Sequence, residues 1–131
     1  MYLLDSDTLV FLLRGNERVV GNFEAHAADP MALSVVTYGE LFHGAMKSSR
    51  PVRNAARVRH MGEILRIIDV SPAIMETFGT LKADMEQAGV RRDDLDVMIA
   101  ATAIHLGYTL VTNNIRHFGG IADLTVENWS R

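Results

Sequence analysis

The stretch that decides the fold class is Leu3-Leu4-Asp5-Ser6-Asp7-Thr8-Leu9-Val10-Phe11-Leu12-Leu13. Its first two residues form a short apolar run that stops at Asp5, which predicts a buried strand ending in an acid. Residues 6–8 offer N-cap side chains, and residues 9–13 continue as a short apolar helix. The stretch therefore predicts a strand followed directly by a helix.

The same alternation continues along the rest of the chain. Further strands are predicted at 31–35, 66–69, 108–112 and 124–126. Helices are predicted at 17–28, from Thr37 to Lys47, at 52–64, from Ser71-Pro72 to Gly89, and from Asp93 or Asp94 to Gly107. Alternating strands and helices favour an α/β fold, with a mostly parallel sheet flanked by helices on both faces. We expect residues 1–131 to form one domain.

The composition narrows the possible functions. The chain has 131 residues, is 48% hydrophobic and contains no cysteine, which excludes disulfides, thiolate zinc sites and a cysteine nucleophile. Neither a signal peptide nor a membrane-spanning run is recognisable, so we expect a cytoplasmic protein with no membrane association. Because the net charge is −3, binding of nucleic acid requires a local basic face or a metal ion. One candidate face is the segment with Lys47, Arg50, Arg53, Arg57 and Arg59, although a solvated helix face explains the same pattern.

Acidic and small polar side chains lie at or just after the predicted strands. Ligand sites in open parallel sheets form beyond the carboxyl ends of the strands. Asp96 belongs here too, because it opens a helix whose N-terminus we expect at the same edge. The candidates are Asp5, Asp7, Ser34, Thr37, Glu40, Asp96, Thr112, Asn113 and Asn114.

Clustered carboxylates repel each other unless a cation neutralises them. Mg²⁺ prefers oxygen ligands and is commonly bound by carboxylates together with substrate phosphates, a combination suited to phosphodiester hydrolysis. Each residue also has a structural interpretation. Asp5 could cap a helix, Thr37 and Glu40 have capping-box spacing, Asp96 favours the helix dipole, and Asn113-Asn114 could be only a turn.

The five histidines show no metal-ligand spacing, which disfavours zinc catalysis. His117 lies near the predicted site. It could contact substrate, or it could be an exposed structural histidine.

Four motifs in order resemble the PIN-domain ribonucleases, specifically the VapC-type toxins of bacterial toxin–antitoxin pairs. The resemblance covers essentially the whole chain. It rests on residues 3–9, on the S-x-x-T-x-x-E segment 34–40, on the D-x-x-I-A-A segment 96–101, on the segment 110–118 and on Trp129. It implies a Mg²⁺- or Mn²⁺-dependent endoribonuclease whose metal ligands are Asp5, Glu40 and Asp96.

One position departs from the commonest family pattern. Many members have a fourth acid where this chain has Asn114, so a second tightly held metal is in doubt. Asn114 could still orient a water molecule. Asp7 is a further carboxylate within reach, but capping explains it equally well.

The resemblance also implies partners. Such proteins usually form homodimers and are inhibited by a small VapB-like antitoxin, whose N-terminal part often binds operator DNA. The T-N-N sequence at 112–114 is most similar to members that cut structured RNA, tRNA in particular. Apolar residues in helices 9–13 and 41–46 would suit a dimer face, the antitoxin groove or plain core packing.

Two other classes of function are compatible with parts of the sequence. One is a PIN-fold binding or regulatory module that has lost catalysis. The other is an aspartyl-phosphate phosphatase, in which the acid after the first strand is a nucleophile. The second is disfavoured, because no clear lysine segment follows and the chain is short for that fold.

Overall fold

A computed structural model describes all 131 residues. The strands are β1 (Tyr2–Leu4), β2 (Met31–Ser34), β3 (Arg66–Ile68), β4 (Thr109–Val111) and β5 (Val126–Glu127). The helices are α1 (Ser6–Leu13), α2 (Glu17–Ala25), α3 (Val35–Met46), α4 (Pro51–Ile64), α5 (Pro72–Gln87), α6 (Asp94–Leu106) and α7 (Ile115–Phe118). None of them is long and apolar enough to cross a bilayer.

The five strands form one sheet in the order β3-β2-β1-β4-β5, and every neighbouring pair is parallel. Successive strand residues point to opposite faces, so Leu3 and Leu4 enter two different hydrophobic clusters. Leu4 packs with residues of α1 to α4, and Leu3 packs with residues of α5 and α6. The predicted α/β architecture, with a parallel sheet covered on both faces, is therefore confirmed.

The predicted capping of α3 is wrong. Ser34, not Thr37, is the N-cap, and its Oγ accepts a hydrogen bond from Val36 N at 3.1 Å. Thr37 is fully buried within the first turn. Because the helix begins earlier than its Thr-x-x-Glu spacing suggested, Thr37 and Glu40 do not form a capping box.

The start of α1 was also predicted too late. Asp5 itself is the N-cap, and its carboxylate accepts a hydrogen bond from Ser6 N. The structural interpretation of Asp5 as a cap is therefore correct. It does not exclude a second role, because the other carboxylate oxygen is directed elsewhere.

The clearest remaining differences from prediction are two element bounds and one additional helix. α2 ends at Ala25, because residues 26–29 form a turn before Pro30. β5 begins at Val126 rather than 124, since Asp123 turns the chain with φ +66° just before it. The one-turn helix α7 was not predicted, because four residues carry too little periodicity to recognise.

The predicted basic segment forms part of α4 and the turn before it, and its five cationic side chains are all exposed. Arg57 donates a hydrogen bond to the carbonyl oxygen of Leu13 at 2.7 Å. The Arg59 guanidinium lies 5.3 Å from the centre of the Phe42 ring. These contacts fit a solvated helix face, and a role in binding nucleic acid stays a prediction.

Candidate active site

Asp5 lies at the carboxyl end of β1, the central strand of the sheet. The chain passes from β1 to β2 on one side, and the connection from β3 returns to β4 on the other side of β1. Open α/β sheets form their binding crevice at such a reversal of direction. The carboxylate is only 4% exposed. Its Oδ2 accepts a hydrogen bond from Thr112 Oγ1 at 2.8 Å, and its Oδ1 accepts one from Ser6 N at 2.8 Å. Two hydrogen bonds thus fix the Asp5 carboxylate, one from the start of α1 and one from the residue that follows β4.

Asp7 is tied to the loop after β4. Its Oδ2 accepts a hydrogen bond from Asn113 N at 3.0 Å, and its Oδ1 accepts one from Thr8 N at 2.7 Å. Both oxygens therefore have backbone partners within this chain. The arrangement suits a residue that supports the loop after β4. Asp7 was predicted to be either a further carboxylate of the site or a cap, and the cap of α1 is Asp5 instead.

Glu40 reaches the site from α3 and is partly buried. Its Oε1 is inaccessible to solvent and has no hydrogen-bond partner. A buried charged oxygen without a partner is costly, so it indicates a missing ligand. Thr37 Oγ1, on the same helix, is also buried without a partner.

Asp96 lies in the first turn of α6 and is paired with His117. The distance from His117 Nδ1 to Asp96 Oδ2 is 3.1 Å. The side chain of His117 is 55% exposed and that of Asp96 only 18%. The histidine therefore covers one side of the carboxylate and faces solvent itself.

Three carboxyl groups have perturbed acidities. Burial, followed by the charge of Asp7, raises the pKa of Asp5 to about 6. Burial, followed by the charge of Asp5, raises the pKa of Glu40 to about 7. The pKa of Asp96 is also raised, mainly by burial, although His117 acts in the opposite direction. Asp5 and Glu40 are each affected by other acids of the site, and Asp96 is affected by Asp93, so the negative charge at this edge is only partly offset by His117 and Arg92.

The site fits a hard divalent cation with an open coordination sphere. No three Asp, Glu, His or Cys side chains lie close enough together to form a ready-made cage. Mg²⁺ does not need one, because it usually keeps several waters and takes only one or two carboxylates. The partnerless Glu40 oxygen and the surplus charge on Asp5 and Asp96 supply suitable oxygen ligands.

The Asn113-Asn114 pair lies in the turn between β4 and α7. Asn114 is exposed and precedes α7, and its backbone N donates to Thr112 Oγ1 at 3.1 Å. Asn113 Oδ1 is buried without a hydrogen-bond partner. The threonine thus links the backbone of this loop to the Asp5 carboxylate.

Sequence reasoning missed a basic border beside Asp96. A polar cleft of about 260 Å³ opens there, and it is lined by Arg91, Arg92, Asp93, Asp96, Arg116 and His117. The available signal was the Arg91-Arg92 pair just ahead of α6, which the prediction did not use. The positive charges of these arginines offset the negative charges of Asp93 and Asp96 in this cleft.

A longer groove of about 600 Å³ leads away from the acids between α1, α3 and α4. Asp7 and Glu40 lie among its lining residues, and the half-buried Val10, Phe11 and Leu13 give it apolar walls. Arg14, Lys47 and Arg57 also line it. The predicted apolar faces of 9–13 and 41–46 are thus divided between core and groove.

Comparisons with known proteins agree with this arrangement. The family model for the PIN domain matches residues 2–124. The chain is 33% identical over 129 residues to a Haemophilus influenzae protein named ribonuclease VapC2, covering 98% of this chain and 97% of that one. It is 31% identical over 129 residues to the tRNA(fMet)-specific endonuclease VapC of Salmonella typhimurium, with the same coverage of 98% and 97%.

A solved structure is equally similar. It is VapBC2 from Rickettsia felis, bound to a DNA fragment from the promoter of the pair. The matching chain superposes with a TM-score of 0.90 at 32% identity, covering 98% of both chains.

Proposed function

Since this chain belongs to the PIN-domain family and is a VapC-type ribonuclease toxin of a toxin–antitoxin pair, we propose that it hydrolyses RNA phosphodiester bonds at a divalent metal ion held by Asp5, Glu40 and Asp96. The observation that carries the proposal is the partnerless buried oxygen of Glu40 among acids with raised pKa values. A bound cation would give the buried Glu40 oxygen a partner and would also reduce the repulsion between the neighbouring acids.

The ion, Mg²⁺ or Mn²⁺, would supply Lewis-acid polarisation of the scissile phosphate and a water of lowered pKa. The protein positions the carboxylates that would hold it. Thr112 and Ser6 N orient Asp5, while α3 and α6 bring Glu40 and Asp96 to the same edge. Asn114 is exposed beside them, where its amide can orient a water molecule or bind the RNA backbone.

The substrate we infer is structured RNA, tRNA in particular. Support comes from the similarity to a tRNA(fMet)-specific endonuclease and from the Thr112-Asn113-Asn114 sequence. Two exposed cations of the cleft beside Asp96, Arg91 and Arg116, offer positive charge for phosphates next to the scissile bond. Net charge alone would repel RNA, so this local border has to compensate.

A VapB-like antitoxin is the partner, and operator DNA is bound through it. For the docking site we propose the groove between α1, α3 and α4, because it joins apolar walls to the acids Asp7 and Glu40. A basic side chain of the antitoxin would then reach these acids and block the metal position. Homodimerisation stays a proposal, to be tested by light scattering after gel filtration.

Cleavage assays on the antitoxin-free protein test the proposed activity. With a tRNA pool as substrate, we expect cutting in Mg²⁺ or Mn²⁺ and none in excess chelator. Asp5→Asn and Asp96→Asn should each reduce the rate at least ~100-fold, since each removes a ligand charge. Asp69→Asn is the matched control, because Asp69 also follows a strand but is exposed. Full activity in chelator would contradict the metal-dependent mechanism, and Mn²⁺ binding without any cutting would favour a regulatory module.

A further inference from the structure

We propose that Arg92 is a positioning residue for RNA cleavage: its guanidinium holds α7 in place, and with it Asn114 and His117 beside Asp96. The inference rests on the proposed nuclease function. Arg92 lies in the loop before α6, four residues ahead of Asp96. Its side chain therefore links the segment that carries Asp96 to the segment that carries Asn114 and His117.

The contacts are concentrated on one short helix. Arg92 Nη1 donates to the carbonyl oxygens of Arg116 at 2.9 Å and His117 at 2.6 Å. Its Nη2 donates to the carbonyl oxygen of Gly119. One side chain thus donates hydrogen bonds to three backbone carbonyl oxygens at the C-terminal end of α7.

α7 needs this support because of its length. A helix of one turn has almost no stability of its own, and its last carbonyl groups lack partners within the helix. Within and just beyond α7, the backbone hydrogen bonds join His117 N to Asn114 O, Gly119 N to Ile115 O and, at 3.4 Å, Ile121 N to Phe118 O. A planar guanidinium can serve several carbonyl oxygens at once, which an ammonium group cannot do in the same geometry.

The other end of the same loop is anchored independently. Asp7 Oδ2 accepts from Asn113 N, and Thr112 Oγ1 accepts from Asn114 N while donating to Asp5. Residues 112–119 are therefore tied at one end to the acids after β1 and at the other end to the loop before Asp96. Without Arg92, the first anchor remains, and α7 keeps only the burial of Phe118 and the contact of His117 with Asp96. The carbonyl oxygens of Arg116, His117 and Gly119 lose their side-chain donor.

The side chain is placed for this task rather than for solvent. Arg92 is partly buried, and its Nε is buried without any acceptor. A buried donor without a partner costs free energy, so its retention requires an explanation. The explanation we infer is the three-carbonyl contact, which fixes the guanidinium in this orientation.

Two substitutions test the inference. Arg92→Met removes the guanidinium, and Arg92→Lys keeps the charge but loses the fork. We expect both to lower kcat ~10-fold or more with KM nearly unchanged, because a small displacement of site groups impairs the reaction rather than binding. Arg66→Met is the control, since Arg66 is an exposed arginine on β3 and its loss changes the net charge equally.

Amide hydrogen exchange, measured without RNA or metal, gives a readout independent of activity. In both Arg92 variants we expect selective loss of protection at the amides of His117 and Gly119, with β1 and β4 amides unchanged. Arg66→Met should leave all of them unchanged.

The outcomes separate the possibilities. Wild-type kcat or unchanged exchange in the Arg92 variants would overturn the inference. A raised KM with normal kcat would also overturn it, because Arg92 would then bind RNA directly. If wild-type protein cuts no RNA while exchange changes as expected, the anchoring of α7 stands and the proposed nuclease function fails.

Discussion

Asp5→Asn is expected to make the metal-free protein more stable while abolishing RNA cleavage. Asp5 is 4% exposed, and its pKa is raised from 3.8 to about 6. At 1.36 kcal/mol for each pKa unit, keeping this carboxylate ionised in the folded state at pH 8 costs about 3 kcal/mol. Asparagine has the same shape without the charge, so it avoids that cost.

Part of the gain is lost again through hydrogen bonding. The asparagine Oδ1 can still accept from Ser6 N, but the partner of Thr112 Oγ1 changes from a carboxylate oxygen to an amide. Losing one such hydrogen bond costs about 1 kcal/mol. The net expectation at pH 8 is a stabilisation of about 2 kcal/mol.

Urea unfolding in excess chelator measures this difference. Trp129 is the only tryptophan and is 3% exposed, so its fluorescence reports unfolding. The stabilisation should shrink as the pH falls from 8 towards 4, because folded-state Asp5 becomes protonated below about pH 6 and the pH approaches the unfolded-state pKa of 3.8. Asp69→Asn serves again as the control, and its free energy of unfolding should change by less than ~0.5 kcal/mol.

A clear destabilisation of the Asp5→Asn protein at pH 8 would refute this reasoning. It would mean that the ionised Asp5 carboxylate stabilises the fold as a helix cap, and that its charge does not lower the free energy of unfolding. Saturating Mn²⁺ should reverse the order of stability, since only the wild-type protein keeps all three acids.

Three further predictions concern pH, the loop after β4 and the end of α6. Asp5 and Glu40 have folded-state pKa values of about 6 and about 7, which lie above those of the unfolded chain. The metal-free protein should therefore lose stability as the pH rises from about 4 to about 7. Urea unfolding at a series of pH values measures this loss. Activity should show the opposite trend and fall below about pH 6, because protons compete with the metal for the same oxygens. Thr112→Val should lower the free energy of unfolding by about 1–3 kcal/mol and reduce cleavage, because Asp5 and the backbone N of Asn114 both lose a hydrogen-bond partner. Wild-type activity of this variant would contradict the role of Thr112 in linking the loop after β4 to Asp5. Gly107→Ala should destabilise by about 1 kcal/mol in the same unfolding assay, because this residue ends α6 with φ +69°.

The order of helices and strands could be read from the sequence because each element carries a local signal. Leu3-Leu4 before Asp5 is a recognisable strand end, and Gly107 is a recognisable helix end. Capping was less predictable. Ser34 and Thr37 are both good caps, and only the position at which β2 ends selects the first.

The candidate site divides in the same way. The carboxylates could be predicted to share one edge, since parallel strands place their carboxyl ends together. The partnerless oxygen of Glu40 and the pairing of His117 with Asp96 depend on side-chain positions that no local pattern encodes. Arg92 escaped prediction for the same reason, because its partners are backbone carbonyls 24 to 27 residues further along the chain.

Anomalous diffraction from crystals soaked in Mn²⁺ tests the central claim most directly. We predict one strong peak among the carboxylates of Asp5, Glu40 and Asp96, with one or two of them bound directly and the others through water, and the loss of that peak in Asp5→Asn crystals. A strong peak at other residues, or none at these three in a protein that still needs Mn²⁺ to cut RNA, would contradict it.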